Sequence, residues 1–571
     1  MTQPPNADTV HNAWNPGVSS RIPREFQRLE TIYVGERASS GLSLVEDFAR
    51  ISGLPHEELV MFRPARLALH EVIVRVTADI AVSEGASEEV FGRNFRHIAG
   101  KLVSAYVAPR MHELEALHED LRRRTGERVR SLLEARLGSV PETTPRPAFP
   151  FNIFRRKRPE SVPHGRPEER EHRVVARFKT DGLASADPFE RAVFRSLYRI
   201  LGAVLAHRGR LGSDHEVLAE MVTRLVCNTF GSRLIGEAVE PLIESAIEAE
   251  GYTRVLNRAA PVLISLKGAS AAGKSSIRPM IKRLMRDNGI EPDGYATISP
   301  DVWRRLLIDY DALGEAYKYA GHLTSREVMV IDAKLDRYIR DKANRAQAIS
   351  HLLVDRFRFD SFSTQEIGRI LQGTYTKYVS TIHMYFVVTP PEETVERGWQ
   401  RALERGRYKA VEDFLGHCVE AYGGMPRVLF RWLGYRNVDY RYYFLDNRVP
   451  KGEFPTLIAC GDRTRMAIFD PEGLINVVRY QKININAHSR AAVYPTGPAL
   501  EARNNLSFLR QCIRSVAVVS FVDGPEGRTY LEARDGGFKV LDPATFDRLM
   551  GDERIASIIR EIAPGVMPSA R

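Results

Sequence analysis

Gly268-Ala269-Ser270-Ala271-Ala272-Gly273-Lys274-Ser275 is the stretch of this chain whose residue types and spacing point most directly to chemistry. It fits G-x-x-x-x-G-K-[ST] at every position, a pattern suited to holding the phosphates of a nucleotide. Its glycines let the backbone wrap so that N–H groups converge on a phosphate, and a helix starting there adds partial positive charge. In that arrangement these eight residues and Ser276 would bind the nucleotide. Lys274 would bridge its β- and γ-phosphates and Ser275 would hold Mg²⁺, so ATP and Mg²⁺ are the expected ligands. A plain glycine turn before a helix is the simpler alternative, but the flanks argue against it. Val262-Leu263-Ile264-Ser265-Leu266 is a β-branched apolar run of the kind a buried parallel strand requires. Behind the loop, Ile277, Met280, Ile281, Leu284 and Met285 recur at helical spacing. Pro279 sits early in that helix, near the end whose N–H groups need fewest partners.

A nucleotide site alone does not say whether phosphate passes to water, to an acceptor or nowhere. Residues 295–299 read as a second strand running into Pro300-Asp301, and open α/β sheets bind ligands at such strand ends. There Asp301 can take a hydroxyl proton and Arg304 can hold an anionic part of an acceptor; spacing alone equally allows Asp301 to cap the next helix. Residues 351–355 form a third apolar run ending in Asp355, which would reach the metal's outer shell. Asp332 competes for that role, but Leu335 and Ile339 continue its pattern at helical spacing and place it on a helix. A fourth strand, residues 383–388, is followed by a helix bearing Arg397 and Arg401, with Arg405 and Arg407 beyond it. Arginines in a mobile lid close over transferring phosphates, although Glu393 and Glu404 offer them surface pairing instead. A fifth run, residues 442–445, ends in Asp446-Asn447. Strand and helix alternate throughout, as a parallel sheet demands.

Ordered in this way, residues 262 to about 460 resemble the zeta-toxin family of P-loop kinases. The resemblance implies an α/β P-loop kinase core, a parallel sheet with flanking helices. It also implies phosphorylation of a hydroxyl on a small metabolite, typically a nucleotide sugar, with ATP and Mg²⁺. On that footing Asp301 is the general base, and Arg397 or Arg401 is a lid arginine on the phosphates. Gly321-His322-Leu323-Thr324 is similar to the family's acceptor-pocket segment, and Asp332 takes the place of a substrate-binding acid. The expected catalytic set is therefore Asp301, Lys274, Arg397 and Arg401. Arg304, Thr324 and Asp332 would contact the acceptor, and Ser275 and Asp355 the metal. Where the family often has a small or hydroxyl residue after the third strand's acid, this chain has Arg356-Phe357-Arg358-Phe359. Basic residues alternating with aromatics suit a phosphorylated or base-bearing acceptor such as a dinucleotide or a nucleic-acid end.

The elements that must position these residues sit in a chain of 571 residues, 43% apolar and 27% charged, which excludes a disordered chain, collagen and a coiled-coil fibre. At about 100–200 residues per domain, roughly three or four folding units are expected. We expect a disordered leader over 1–24 and a helical domain over 25–138. A Pro/Arg-rich linker follows over 139–173, with its basic run at residues 155–158, and then a helical region over 174–250 packing on the kinase core. The kinase domain itself spans 251–460, and a small α+β domain 461–571. Lys and Arg outnumber Asp and Glu, 82 against 72, and the net charge of +10 favours anionic partners. The four cysteines lie too far apart for a zinc cluster and suit a reducing compartment. No apolar run reaches the ~18 residues of a membrane span, and the leader lacks a secretory pattern. A cytoplasmic location is expected, with delivery as a secreted effector left open.

The leading expectation is an ATP- and Mg-dependent phosphotransferase acting on a small, anionic, hydroxyl-bearing metabolite, with no membrane partner. A polynucleotide-end kinase fits the basic balance but lacks a clear stacking platform, so nucleic acid is not the favoured partner. A nucleotide-dependent regulatory or scaffold protein is the alternative of a different class, because more than half the chain lies outside the kinase-like segment. An antitoxin or regulatory protein partner is compatible with the resemblance.

Overall fold

Val262–Lys267 is buried along its whole length, which is why the run before the glycine loop is apolar at almost every position. It is one of eleven strands that pair into a single open sheet among the described residues of a computed structural model. Those residues are 11–85, 87–138, 167–291, 294–356, 373–450, 452–524 and 527–566. In chain order the strands are β1 (Asn257–Arg258), β2 (Val262–Lys267), β3 (Tyr295–Ile298), β4 (Ile349–Val354), β5 (Thr381–Val388) and β6 (Asp439–Asp446). They continue with β7 (Thr456–Gly461), β8 (Arg465–Ile468), β9 (Val518–Asp523), β10 (Arg528–Arg534) and β11 (Gly537–Val540).

The middle of the sheet is parallel, in the order β3-β4-β2-β5-β6. Leu263 pairs with Leu352 on one side and with Ile382 on the other. The chain leaves β2 for β3, returns to lay β4 against β2, and then crosses to the far side for β5. Connections therefore change direction beside β2, and the crevice at such a switch point, outside the carboxyl ends of the strands, is where open α/β sheets bind ligands. Helices Lys274–Asp287, Ser325–Ala346, Pro391–Arg405 and Val411–Leu433 connect these strands. The first of them runs through Pro279 without a break. Asp332 lies on the second, as its spacing predicts.

The chain divides into two compact units. One comprises residues 1–26, 73–101 and 246–571, and the other 27–72 and 102–245. This division differs from the domains expected from the sequence. Residues 73–101 belong with the sheet because Phe91 packs under the Arg278 guanidinium, 4.8 Å from its ring centre, and Glu84 pairs with Arg278. Residues 461–571 do not form a separate sheet: β7 pairs with β8 and β8 with β9, so β9, β10 and β11 extend the same sheet as an antiparallel meander. Within the leader, Trp14 Nε1 donates to Glu396 at 2.8 Å and Ser20 Oγ to Glu412 at 2.7 Å. Its residues 1–10 lie outside the described residues, as do 139–166 of the expected linker, including the basic run at 155–158. Past them, helix Pro167–Ala184 begins inside the span read as linker.

The second unit is helical. Helix Pro188–Arg208 shows how the sequence punctuates it: Asp187 accepts from Phe189 N, Pro188 opens the first turn, and Gly209 ends it at φ +77°. Met111–Leu137 is one continuous helix, and it buries Leu114, Leu121, Val129, Leu132 and Leu133. No helix among the described residues is long and apolar enough to cross a membrane.

Candidate functional site

The loop after β2 is held by close approaches that exclude side chains at two positions. A Cβ on Gly268 would stand 2.9 Å from the carbonyl of Val387, the last-but-one residue of β5. At Gly273 it would stand 2.1 Å from Asn447 Nδ2, and φ there is +95°, a conformation glycine adopts without strain. Ala271 takes φ +61° without that freedom. The carbonyl of Ala272 accepts from Asn447 Nδ2 at 2.7 Å and from Thr389 Oγ1 at 3.0 Å. Thr389 and Asn447 directly follow β5 and β6, so two strand ends clamp one loop. Arg397 reaches back from its helix and donates to the Asn447 carbonyl at 2.7 Å.

Lys274 Nζ donates to the carbonyls of Gly268 and Ala269, at 3.1 and 2.9 Å. Burial lowers its pKa against the pull of Asp355 and Asp301. Beside it, Ser275 Oγ donates to Asp355 Oδ2 at 2.9 Å, which brings together the two residues expected to hold a metal. Burial raises the Asp355 carboxyl, opposed by Lys274 and Arg278. Arg278 is wholly buried and links Asp355 (3.3 Å) to Glu84 (2.8 Å). Glu84 also faces Lys282 at 3.2 Å and stays ionised: the two cations outweigh its burial.

Across the cleft stands Asp301, with 38% of its side-chain surface exposed. Arg304 Nε holds one of its oxygens at 3.2 Å and Arg407 Nη2 the other at 2.6 Å. Burial alone would raise this carboxyl, but Arg407 and Arg304 override it and keep it far below the usual carboxylate range. Arg304 Nη1 is itself fixed by the Gly321 carbonyl at 2.7 Å and by Thr324 Oγ1 at 2.8 Å.

Lys274, Ser275, Asp355, Asp301, Arg304 and Arg407 line one cleft of about 960 Å³, within the size range of ligand pockets. Of the residues expected from the sequence, the cleft brings together Ser270, Ala271, Gly273, Lys274, Ser275, Ser276, Asp301, Arg304, Asp332, Asp355, Arg397 and Arg401. Gly268, Ala269 and Ala272 do not line the cleft; their carbonyls accept the hydrogen bonds that hold the loop. Thr324, expected on the acceptor, is fully buried and orients Arg304 instead. Asp332 faces the cleft but is paired with Arg356, which also holds Asp336. The expected alternation after Asp355 falls on residues 357–359, outside the described residues.

Several lining residues were not singled out from the sequence. Glu88 pairs with Arg405 at 2.9 Å at one edge. Val449 and Pro450 add apolar surface to the lining. Lys409 and His417 meet at 2.8 Å, and Asp413 accepts from His322 at 3.1 Å. The legible signal for Asn447 was its place at a strand's carboxyl end, the same signal that marked Asp301 and Asp355. Lys409 and His417 carried none, since they become neighbours of Asp301 only through folding.

Both signs of charge line the cleft: Lys274, Arg304, Arg356, Arg397, Arg401, Arg405, Arg407 and Lys409 stand beside the carboxylates of Glu88, Asp301, Asp332, Asp355, Glu393, Glu396, Glu404, Asp413 and Glu453. Arg401 Nε is buried with no hydrogen-bond partner among the described residues, a donor without an acceptor. Burial first, and then Arg407, push the Arg401 guanidinium down to about 10. Compared with family models, curated proteins and solved structures, the chain matches none.

Proposed function

We propose that this chain is a nucleoside-triphosphate-dependent phosphotransferase that moves a phosphoryl group to a hydroxyl of a small metabolite, the activity its resemblance to zeta-toxin kinases implies. The observation that carries the reading is convergence on one cleft: the Lys274 loop, the Ser275–Asp355 pair and the Asp301 carboxylate come from three different strand ends. Loop N–H groups and Lys274 would hold the phosphates, with Val449 and Pro450 against the base. Ser275 and Asp355 would hold Mg²⁺, which when bound neutralises charge on the transferred group. Asp301, kept ionised by its two arginines, would orient the acceptor hydroxyl. Arg401 would meet the charge that builds up during transfer.

Labelled γ-phosphate supplied as ATP to the purified protein in a small-metabolite extract tests this. A labelled species made by the wild type and absent with Asp301→Asn is the expected result; bound ATP with no labelled product overturns the reading. A regulatory nucleotide-binding role has one observation in its favour, that both Asp301 oxygens already have arginine partners. In that case Asp301→Asn leaves function intact while Lys274→Ala destroys it.

A further inference from the structure

The proton released by an acceptor hydroxyl must go somewhere, and Asp301 is a poor recipient. Each of its oxygens is held by a guanidinium, and a carboxyl so stabilised as its anion has little affinity for a proton. Resting on the phosphotransferase reading of the same cleft, we propose that Lys409, seated against His417, accepts the proton of the acceptor hydroxyl while Asp301 only orients that hydroxyl.

Lys409 lies between helices Pro391–Arg405 and Val411–Leu433 and lines the cleft together with Lys274 and Asp301. Its Nζ meets His417 Nδ1 at 2.8 Å and sits 5.2 Å from the centre of the Phe414 ring. Among the described residues no carboxylate oxygen pairs with it, because the nearby acids are engaged elsewhere: Asp413 with His322, Asp301 with Arg304 and Arg407. The charged and titratable groups that act on it are Arg401, Arg407 and Asp301, together with Asp413 and His417 from the helix that follows it. Burial first, and then the two arginines, bring the amine down to about 7 against the pull of Asp413. Burial and Lys409 bring His417 down to about 3, so the imidazole stays neutral. A neutral amine is thus available near neutral pH, and after protonation the ammonium keeps a hydrogen bond to Nδ1. That is the match of proton affinity to working pH that general-base catalysis favours.

In the step, the acceptor O–H bond breaks and its oxygen bonds the terminal phosphorus of the nucleoside triphosphate. The bond from that phosphorus to the bridging oxygen breaks, and its electron pair leaves on the nucleoside diphosphate. The proton ends on Lys409 Nζ, and the resulting ammonium returns it to water.

Two measurements on the intact protein test the assignment. In trace labelling with acetic anhydride from pH 5 to 11, read by mass spectrometry of the Lys409 peptide, half-maximal reactivity is expected near pH 7, well below the other lysines. Reactivity of Lys409 rising with the bulk of the lysines overturns the proposal whether or not any transfer is seen. Phosphate transfer from labelled ATP into a small-metabolite extract is then followed against pH. The wild-type rate is expected to rise through pH 7, and Lys409→Met to lose about 100-fold or more together with that rise. Binding of a fluorescent ATP analogue should change by less than about threefold. Lys409→Arg decides between proton transfer and mere charge: a guanidinium cannot serve as a base here, so this variant should be as slow as Lys409→Met. Wild-type speed in Lys409→Arg overturns the proposal and leaves the phosphotransferase reading standing; absence of transfer by the wild type overturns that reading and this proposal with it.

Discussion

Asn447 donates through Nδ2 to the carbonyl of Ala272 at 2.7 Å, joining residues 175 positions apart in the chain. The carboxyl end of β6 thereby holds the loop that follows β2, although β5 lies between the two strands. Arg397 adds a second tie by donating to the Asn447 backbone carbonyl. The loop's shape is consequently a property of three strand ends, not of its own eight residues.

Asn447→Ala removes one of two donors to the Ala272 carbonyl and leaves Thr389 Oγ1 in place. A lost hydrogen bond of this kind is worth about 1 kcal/mol. Nucleotide affinity is expected to fall about five- to tenfold, measured by titration with a fluorescent ATP analogue, while the thermal midpoint moves only slightly. An unchanged affinity would show that the clamp does not shape the loop.

Thr324→Val keeps the shape of a fully buried side chain and deletes one acceptor of Arg304 Nη1, leaving the Gly321 carbonyl and Ser325 Oγ. If Thr324 only positions Arg304, and through it Asp301, phosphate transfer is expected to drop about tenfold with nucleotide affinity unchanged. Direct contact between Thr324 and the acceptor would instead appear as an acceptor-concentration effect, curable at saturation.

Asp355→Asn removes the carboxylate that shares Ser275, and chelation of divalent cations removes what the pair would hold. Transfer is expected to stop on addition of EDTA and to return with Mg²⁺. In the Asp355→Asn variant the Mg²⁺ concentration for half-maximal rate should rise by about tenfold or more. A rate indifferent to EDTA would remove the metal from the proposed chemistry.

Acid should unfold this protein early. Val262 N donates to His351 Nδ1 at 2.9 Å, so that nitrogen must remain an acceptor. Burial first, and then Arg258, bring the imidazole down to about 4. Between pH 6.5 and 4 the unfolded chain binds a proton that the folded chain refuses, so stability falls as pH falls through that window and levels off below it. The expected loss is on the order of 1 kcal/mol per pH unit, read from urea unfolding. His351→Asn, whose Oδ1 replaces the acceptor, should flatten that slope; an equal slope in the variant would place the acid sensitivity elsewhere, with His383 the next candidate.

How far the site was legible depended on how much of it is local. The Lys274 loop is eight consecutive residues whose N–H groups must converge, so pattern and flanking periodicity sufficed to find it. Asp301 and Asp355 stood out because an acid directly after an apolar strand can only emerge at the sheet's carboxyl edge. Parallel pairing and the place of each strand beside β2 followed less directly. The two compact units follow other bounds than the domains expected from the sequence, because a helix such as Glu88–Lys101 carries no mark of which elements it will pack on.

What the sequence determined by itself was the alternation of strands and helices and the identity of the glycine loop, since both arise from periodicity and contiguous spacing. Only the tertiary structure decided the electrostatics of the cleft. Arg407 lies 106 positions from Asp301 and His417 eight from Lys409, and burial among unlike neighbours sets each proton affinity. A charge responds to everything within a few ångströms of it, and that neighbourhood does not exist until the strands have found their order.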